Sequence, residues 1–258
     1  VTIECIPQKD KPGIFFQRTD LKESPEIPAL LSSVLSTDRR VALGKEGVRV
    51  ELVEHLLSAL AALGIDSLLI KIDGPEVPIF DGSAKKFIEL FYETGIEELS
   101  FSIDPIYLEE PLMFSEGDAY LIALPSEKAT YSYILRYPNE PILDWQKFFF
   151  VFEEEKYRKE IASARTFARF EEIEALRSRG ILQGGSLESA LVVNGDVILN
   201  PEGLRFPDEM ARHKILDLIG DLSLIGVPVI ANFIVVRGGH TSHIAFAKKI
   251  EAICLERV

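Results

Sequence analysis

The run His213-Lys214-Ile215-Leu216-Asp217-Leu218-Ile219-Gly220-Asp221 reads H-x3-D-x3-D within an apolar pattern of helical period. Residues four apart share a helix face, so His213, Asp217 and Asp221 stack in one row. A His and a carboxylate one turn apart can bind the same metal ion. The chain has four His, the others being His55, His240 and His243. His55 directly follows Glu54, and His240 follows Gly238-Gly239. So sparse a set, placed beside Glu, Asp and a Gly pair, points to a metal hydrolase.

Zinc in catalytic sites keeps three protein ligands and one open position. His55, His213 and Asp217 supply such a set. Water bound in the open position becomes acidic enough to serve as a nucleophile. Glu54, next to ligand His55, could take its proton as general base. Adjacent helical residues point about 100° apart, so both face one site only from the end of a helix. The junction at Leu52-Val53 provides that end. His240 reads as a general acid, on a backbone that Gly238 and Gly239 let pass close to a substrate. Its proton needs a carboxylate partner, and Asp221 is the best placed. Lys214 offers positive charge to a developing oxyanion.

Each residue has a blander reading. His55 and His213 could be ordinary partly buried imidazoles, Lys214 a surface lysine and Gly238-Gly239 a hairpin turn. Asp217 and Asp221 are harder to dismiss, because buried carboxylates are costly unless paired or metal-bound. His243 reads as a surface residue or one standing behind the ligands.

The elements that must position these residues form a pattern. Val1–Ile6, Gly13–Gln17, Val48–Leu52 and Ser67–Ile72 read as strands. Val53–Leu63 reads as a helix with Leu56, Leu57, Leu60 and Leu63 at helical spacing, ended by Gly64 as a left-handed cap. A turn-rich loop from Pro75 to Ser83 leads to a helix at Ala84–Thr94. Further on come strands at Ala119–Leu124 and Thr130–Leu135, and an aromatic run, Phe148–Phe152, that reads as a buried strand. Phe170–Arg179 reads as a helix ended by Gly180, and Gly184-Gly185-Ser186 as a tight turn. Glu209–Ile225 is a helix capped by Gly226, Val229–Val236 a strand, and Phe246–Cys254 a helix. Laying Gly64 on Gly226 puts His55 on Asp217, Leu60 on Leu222 and Leu63 on Ile225. One residue of slippage then puts Ala84-Lys85-Lys86 on Ala247-Lys248-Lys249. The expected fold class is therefore α+β, as two copies of one unit with a boundary near Ser100–Asp104. A metal between the halves would follow. The alternative is coincidence, which any α+β chain can produce.

The bulk properties bound the partners. The 258 residues are 47% hydrophobic, enough for one large or two modest domains. A formal charge of -13 disfavours nucleic acid, since no basic stripe is visible to neutralise phosphates. Cys5 and Cys254 make no disulfide framework, so a reducing compartment is the simpler expectation. No apolar run reaches membrane-span length and no signal peptide is visible. Val1 stands where Met would open a natural chain, so an upstream segment is expected.

Several blocks together resemble the UDP-3-O-acyl-N-acetylglucosamine deacetylase family. They are Val53–Leu60, Pro75–Ser83, Ala164-Arg165-Thr166-Phe167, Gly184-Gly185-Ser186 and Asn200–Phe206, then Arg212 to Gly226 and Gly239-His240. The resemblance spans nearly the whole chain in order. It implies a cytoplasmic, zinc-dependent enzyme of lipid A synthesis that removes acetate from an acylated UDP-N-acetylglucosamine. It implies two similar α+β domains, residues 1–102 and 103–258, each a sheet packed with two helices, with the site between them. Zinc would fall to His55, His213 and Asp217, the base to Glu54 and the acid to His240 paired with Asp221. Thr166 would join Lys214 at the oxyanion. Phe167 would pack near the sugar or acyl chain, and Ile173, Gly185, Ser186 and Ala190 would line an apolar passage carried by an insert in the second domain.

The sequence also departs from the family. A strand and a His-containing Gly-rich loop that usually precede Val1–Pro7 are absent. Arg169 stands where the passage helix of relatives carries an aromatic residue, and Thr241-Ser242-His243 replaces an apolar-Asn pattern. The expected partner is a small-molecule substrate, for a monomer with no nucleic acid and no membrane span, peripheral membrane contact being compatible. The rivals are a zinc amidohydrolase acting on another N-acetylated sugar and a non-catalytic zinc-binding homologue.

Overall fold

The computed structural model describes residues 1–138, 140–173 and 187–255. The fold is mixed α and β, as the pattern of periods requires. In the first half, β1 (Ile3–Pro7), β2 (Gly13–Arg18), β3 (Ile27–Pro28) and β7 (Ser67–Ile72) form a sheet in the order β1-β7-β2-β3. A smaller antiparallel sheet holds β4 (Val34–Ser36), β5 (Ala42–Lys45) and β6 (Val48–Glu51). The helices here are α1 (Glu54–Ala62) and α2 (Lys85–Thr94).

The second half is built on a five-stranded sheet. Its order is β12-β11-β17-β10-β9, from β9 (Leu112–Glu116), β10 (Ala119–Leu124), β11 (Thr130–Leu135), β12 (Gln146–Val151) and β17 (Asn232–Val236). Only β11 and β17 run parallel in it. Short strands β8 (Ile106–Tyr107) and β16 (Val229–Ile230) pair with each other. So do β13 (Phe167–Arg169), β14 (Leu191–Asn194) and β15 (Val197–Ile198). Helix α3 (Glu154–Glu160) follows β12, α4 (Glu209–Ser223) lies over β11 and β12, and α5 (His240–Leu255) lies over β9 and β10.

The two halves meet at α1 and α4. Helix α1 is buried on nearly every side, which is why it is apolar all round apart from its first two residues and Ser58. Leu56 and Leu60 of α1 share one contiguous core with Leu216 and Leu218 of α4, Phe16 and Ile70 of the first sheet, and Tyr133 and Phe233 of the second. The helices touch backbone to backbone at Gly220. A Cβ there would clash with the Glu54 carbonyl oxygen and lie 2.9 Å from its carbon and 3.1 Å from its Cα. Both helices are followed by a left-handed glycine, Gly64 at φ 66° and Gly226 at φ 86°.

Three elements differ from their sequence-based reading. The strand expected over Val229–Val236 is two strands in two sheets. The chain bends at Ala231, so β16 pairs with β8 while β17 inserts between β10 and β11. Period-2 patterning does not register a change of partner. The last helix starts at His240 rather than Phe246. His243 N–H donates to the Gly239 carbonyl at 2.8 Å, and Gly239 N–H donates to Ser242 Oγ at 3.0 Å, opening the helix on polar residues that carry no apolar signal. The aromatic run is not buried throughout. As β12 is an edge strand, Phe150 is 1% exposed and Phe149 59%. Of the helix expected over Phe170–Arg179, residues 170–173 are helical and the rest, with the Gly184–Ser186 turn, lies outside the described residues.

Overpacking a close helix crossing costs about 1–3 kcal/mol. Gly220→Ala should therefore lower the unfolding free energy by about 1–3 kcal/mol, read as a lower denaturant midpoint at an unchanged m-value. An unchanged midpoint would show that the crossing can relax.

Candidate metal centre and active site

The start of α1 presents Glu54 and His55 from a strained entry. Leu52 adopts φ 61°, unusual for a branched residue, and turns the chain from β6 into the helix. Glu54 and His55 are 2% and 3% exposed. Glu54 Oε2 accepts the Val41 N–H at 3.1 Å, while Oε1 lies 3.8 Å from His240 Nε2. One oxygen is anchored and the other faces the cluster.

Helix α4 contributes the row read from its sequence. His213, Asp217 and Asp221 are all buried, as a solvated face would not be. His213 Nδ1 donates to the Ala164 carbonyl at 3.0 Å, which orients the ring and turns Nε2 toward the cluster. That Nε2 lies 3.2 Å from Asp217 Oδ1, and His55 Nε2 lies 3.7 Å from the same oxygen. Neither His213 Nε2 nor Asp217 Oδ1 has a hydrogen-bond partner. One ligand atom from each of His55, His213 and Asp217 falls within 4.8 Å of the others. Lys214 is not a surface lysine. Its Nζ donates to Asp217 Oδ2 at 2.8 Å, which leaves Oδ1 for the shared point.

Asp221, one turn further, accepts from His240 Nδ1 at 2.8 Å on Oδ2 and 3.1 Å on Oδ1. His240 is the first residue of α5, reached through Arg237 at φ 55°. With Nδ1 held, Nε2 turns toward Glu54 and toward Asp217 Oδ2, 3.9 Å away.

Electrostatics divides the cluster. Burial, reinforced by His213, pushes the His55 pKa down to about 3, so its ring is neutral. Burial opposes the charge on Asp217 and Asp221, but His213 and Lys214 hold Asp217 well below its ordinary value, and His240 holds Asp221 below its own. Burial also disfavours a charged His240, yet Asp221 and Asp217 outweigh it and raise the ring to about 9. Burial pushes Glu54 up to about 7. A neutral imidazole at His55 and an ionised carboxylate at Asp217 are donor forms a divalent metal takes. A carboxyl raised to about 7 and an imidazole raised to about 9, 3.8 Å apart, have the proton affinities that a general base and a general acid need.

The remaining sequence-derived residues are distributed around this cluster. Thr166 is held by its backbone, its N–H donating to the Gly82 carbonyl at 2.8 Å and its carbonyl accepting from Leu191 at 2.7 Å. It lies two residues beyond Ala164, the anchor of His213. The Phe167 ring lies 5.7 Å from Lys214 Nζ. Ile173 and Ala190 are half-buried, and the Ala190 carbonyl accepts from Asn200 Nδ2 at 2.9 Å. Gly185 and Ser186 lie outside the described residues. Arg169 belongs to strand β13, not to a helix, and pairs with Glu172 at 2.5 Å.

A profile of the LpxC family, UDP-3-O-acyl N-acetylglycosamine deacetylase, matches residues 1–252. The chain belongs to this family. It is 42% identical over 249 residues to the UDP-3-O-acyl-N-acetylglucosamine deacetylase of Chlamydia abortus, covering 96% of this chain and 89% of that one. It is 41% identical over 250 residues to the protein of the same name from Myxococcus xanthus, covering 97% and 79%. The one from Sulfurimonas denitrificans is 38% identical over 240 residues, covering 93% and 81%.

Of the two readings of His243, surface or behind the ligands, the structure bears out the second: it is fully buried, and its Nδ1 lies 2.8 Å from Asp221 Oδ2. The His-x2-His spacing at the start of a helix was the available signal, masked by starting that helix six residues late. Arg165 and Glu209 form a buried pair at 2.8 Å, 2% and 0% exposed. Glu209 Oε1 also accepts the Arg165 N–H at 3.1 Å, and Arg165 Nη2 donates to the Gly203 carbonyl at 2.6 Å. This pair fixes the segment that carries Ala164 and Thr166. Breaking a buried pair from one side costs about 3–5 kcal/mol. Glu209→Gln should lower stability by that order in denaturant unfolding, whereas the same change at exposed Glu155 should fall within about 0.5 kcal/mol.

Proposed function

We propose that this chain is a zinc-dependent amide hydrolase that removes acetate from UDP-3-O-(3-hydroxyacyl)-N-acetylglucosamine, the committed step of lipid A biosynthesis. The observation that carries the reading is the convergence of His55 Nε2, His213 Nε2 and Asp217 Oδ1, two of them buried without a partner, in a chain of the deacetylase family. A structural zinc site is closed by four protein ligands. Among the described residues no fourth donor joins these three, which favours an open, catalytic site over a non-catalytic homologue.

Zinc, held by His55, His213 and Asp217, would supply an acidic water and polarise the acetyl carbonyl. Glu54, anchored through Oε2, takes the proton of the attacking water on Oε1. Lys214 and Thr166 face the oxyanion that forms at the carbonyl. His240, with Nδ1 held by Asp221, gives the Nε2 proton to the nitrogen as the C–N bond breaks and acetate leaves. The active site then lies between two α+β domains, residues 1–102 and 103–258. Phe167, Ile173 and Ala190 line the route of the acyl chain.

The reading places a monomer in the cytoplasm, free to touch a membrane surface where an acylated substrate is met. No described helix is long and apolar enough to cross a membrane. A second reading, another N-acetylated sugar or amide at the same site, draws on Arg169. Its ion pair with Glu172 puts charge beside Phe167 where an acyl chain would favour an aromatic wall.

Release of acetate from acylated and deacylated UDP-sugars by the purified chain, with metal analysis, tests the reading. Acetate from the acylated substrate alone is expected. Absence of divalent metal would sink it. Chelation should abolish turnover and zinc should restore it. Glu54→Gln should lower kcat by about 10²–10⁴, the range for a lost general base, with zinc still bound. Near-normal kcat in that variant would remove Glu54 from the role.

A further inference from the structure

Asp221 serves two imidazoles, not one. His240 and His243 stand three apart on the first turn of α5, on one face, and both turn Nδ1 to Asp221 Oδ2 at 2.8 Å. An ionised carboxylate only accepts, so both Nδ1 atoms carry hydrogen. His243 is completely buried, and burial pushes its pKa down, so the ring is neutral and its Nε2 is a bare lone pair. That Nε2 is buried and has no partner. The ring is packed against the Gly238 backbone and the Tyr133 ring. A Cβ on Gly238 would lie 2.9 Å from His243 Nε2, and the Gly238 carbonyl is held by the Tyr133 hydroxyl at 2.6 Å. The Tyr133 ring also meets the His243 ring edge to face, with centroids 6.1 Å apart.

A buried acceptor left unpaired costs about 1–3 kcal/mol. A leucine of similar volume would fill the same place without that cost. What leucine could not supply is the Nδ1–H. Asp χ2 is a broad torsion, so a carboxylate held by one ring alone is loosely set. Two donors converging on Oδ2 from the same helix face fix it.

We propose that His243 is a positioning residue: its Nδ1–H locks the Asp221 carboxylate, which in turn holds His240 with Nε2 aimed at the substrate. This rests on the deacetylase reading. His243 touches neither substrate nor metal in it and acts only through Asp221.

Three variants separate positioning from packing. Asn places an N–H where His carries Nδ1 but leaves the space of the ring empty. Leu fills the space and removes the donor. The zinc-loaded protein is assayed for acetate release, and its thermal midpoint is measured alongside. His243→Leu should lower kcat by about tenfold or more, the lower bound when the partner orienting a functional group is removed. KM should stay within about twofold and the midpoint should not fall. His243→Asn should recover most of that kcat while its midpoint drops. His243→Gln, whose N–H is one carbon too far, should behave like Leu. If kcat instead follows the midpoint, with Leu active and Asn impaired, or if all three keep full kcat, the proposal is overturned.

A readout independent of turnover uses protein labelled with 15N at histidine. His243 is expected as the Nδ1–H tautomer, its signal assigned by loss in His243→Asn. An Nε2–H tautomer would overturn the proposal. Wild-type acetate release reports on the deacetylase reading itself, and if it is absent the tautomer decides the Asp221–His243 hydrogen bond.

Discussion

The contact of α1 with α4 at Gly220 is the constraint on which the site depends. Helices that meet through side chains lie 8–10 Å apart, and a residue with a Cβ at position 220 would hold these two at that spacing. Gly220 removes the spacer and lets α4 lie directly against the Glu54 backbone. The first residues of α1 then fall beside the His213, Asp217 and Asp221 row. Neither helix could bring His55 Nε2 within 3.7 Å of Asp217 Oδ1 alone, because the two residues belong to opposite halves of the chain. The hydrophobic core on both sides holds this crossing, and the chemistry occupies the one end where apolar residues give way.

Putting this many ionisable groups in a dry interior is expensive unless each is hydrogen-bonded. The structure meets the cost with a repeated device. Glu54 ties one carboxylate oxygen to a backbone N–H and Asp217 ties one to Lys214, and each leaves its other oxygen facing the cluster. His213 and His240 do the same with their rings, using Nδ1 outward and Nε2 inward. Each of these four groups thus has an anchored side and a working side. Among the atoms left unpaired, His213 Nε2 and Asp217 Oδ1 are on the working side, as expected of a place that a cation fills, while His55 Nδ1 is unpaired on the outward side of its ring.

Much of this was legible in the sequence because it is carried by periodicity. Strands Ser67–Ile72, Ala119–Leu124 and Thr130–Leu135 and the helices at Glu54 and Glu209 follow from apolar spacing. The row of His213, Asp217 and Asp221 follows from a period near four. What was not legible has no period. The start of α5 at His240 rests on a hydroxyl cap and a backbone hydrogen bond, both invisible to an apolar pattern. The break at Ala231 is a change of strand partner. The Arg165–Glu209 pair joins residues forty-four apart in the chain, and nothing local in either marks the other. The burial of His243 follows only once the helix start is known.

The entries to the two helices show why local rules fail at this site in particular. Glu54 is the first residue of α1 and His240 the first of α5, so each is presented from a helix end rather than a helix flank. To aim both ends at one point, the chain must turn sharply just before each. It does so at Leu52 with φ 61° and at Arg237 with φ 55°, neither of them glycine. A left-handed conformation in such residues costs on the order of 1–3 kcal/mol and survives only where the surroundings over-determine it. At Leu52 the surroundings are an 8%-exposed side chain and an N–H donated to the Val41 carbonyl at 2.9 Å. Val41 N–H is also the donor that anchors Glu54. The strained turn and the oriented carboxylate are therefore held by the same residue. Relaxing the turn would release Glu54 from its anchor, so strain and orientation are two consequences of one piece of backbone.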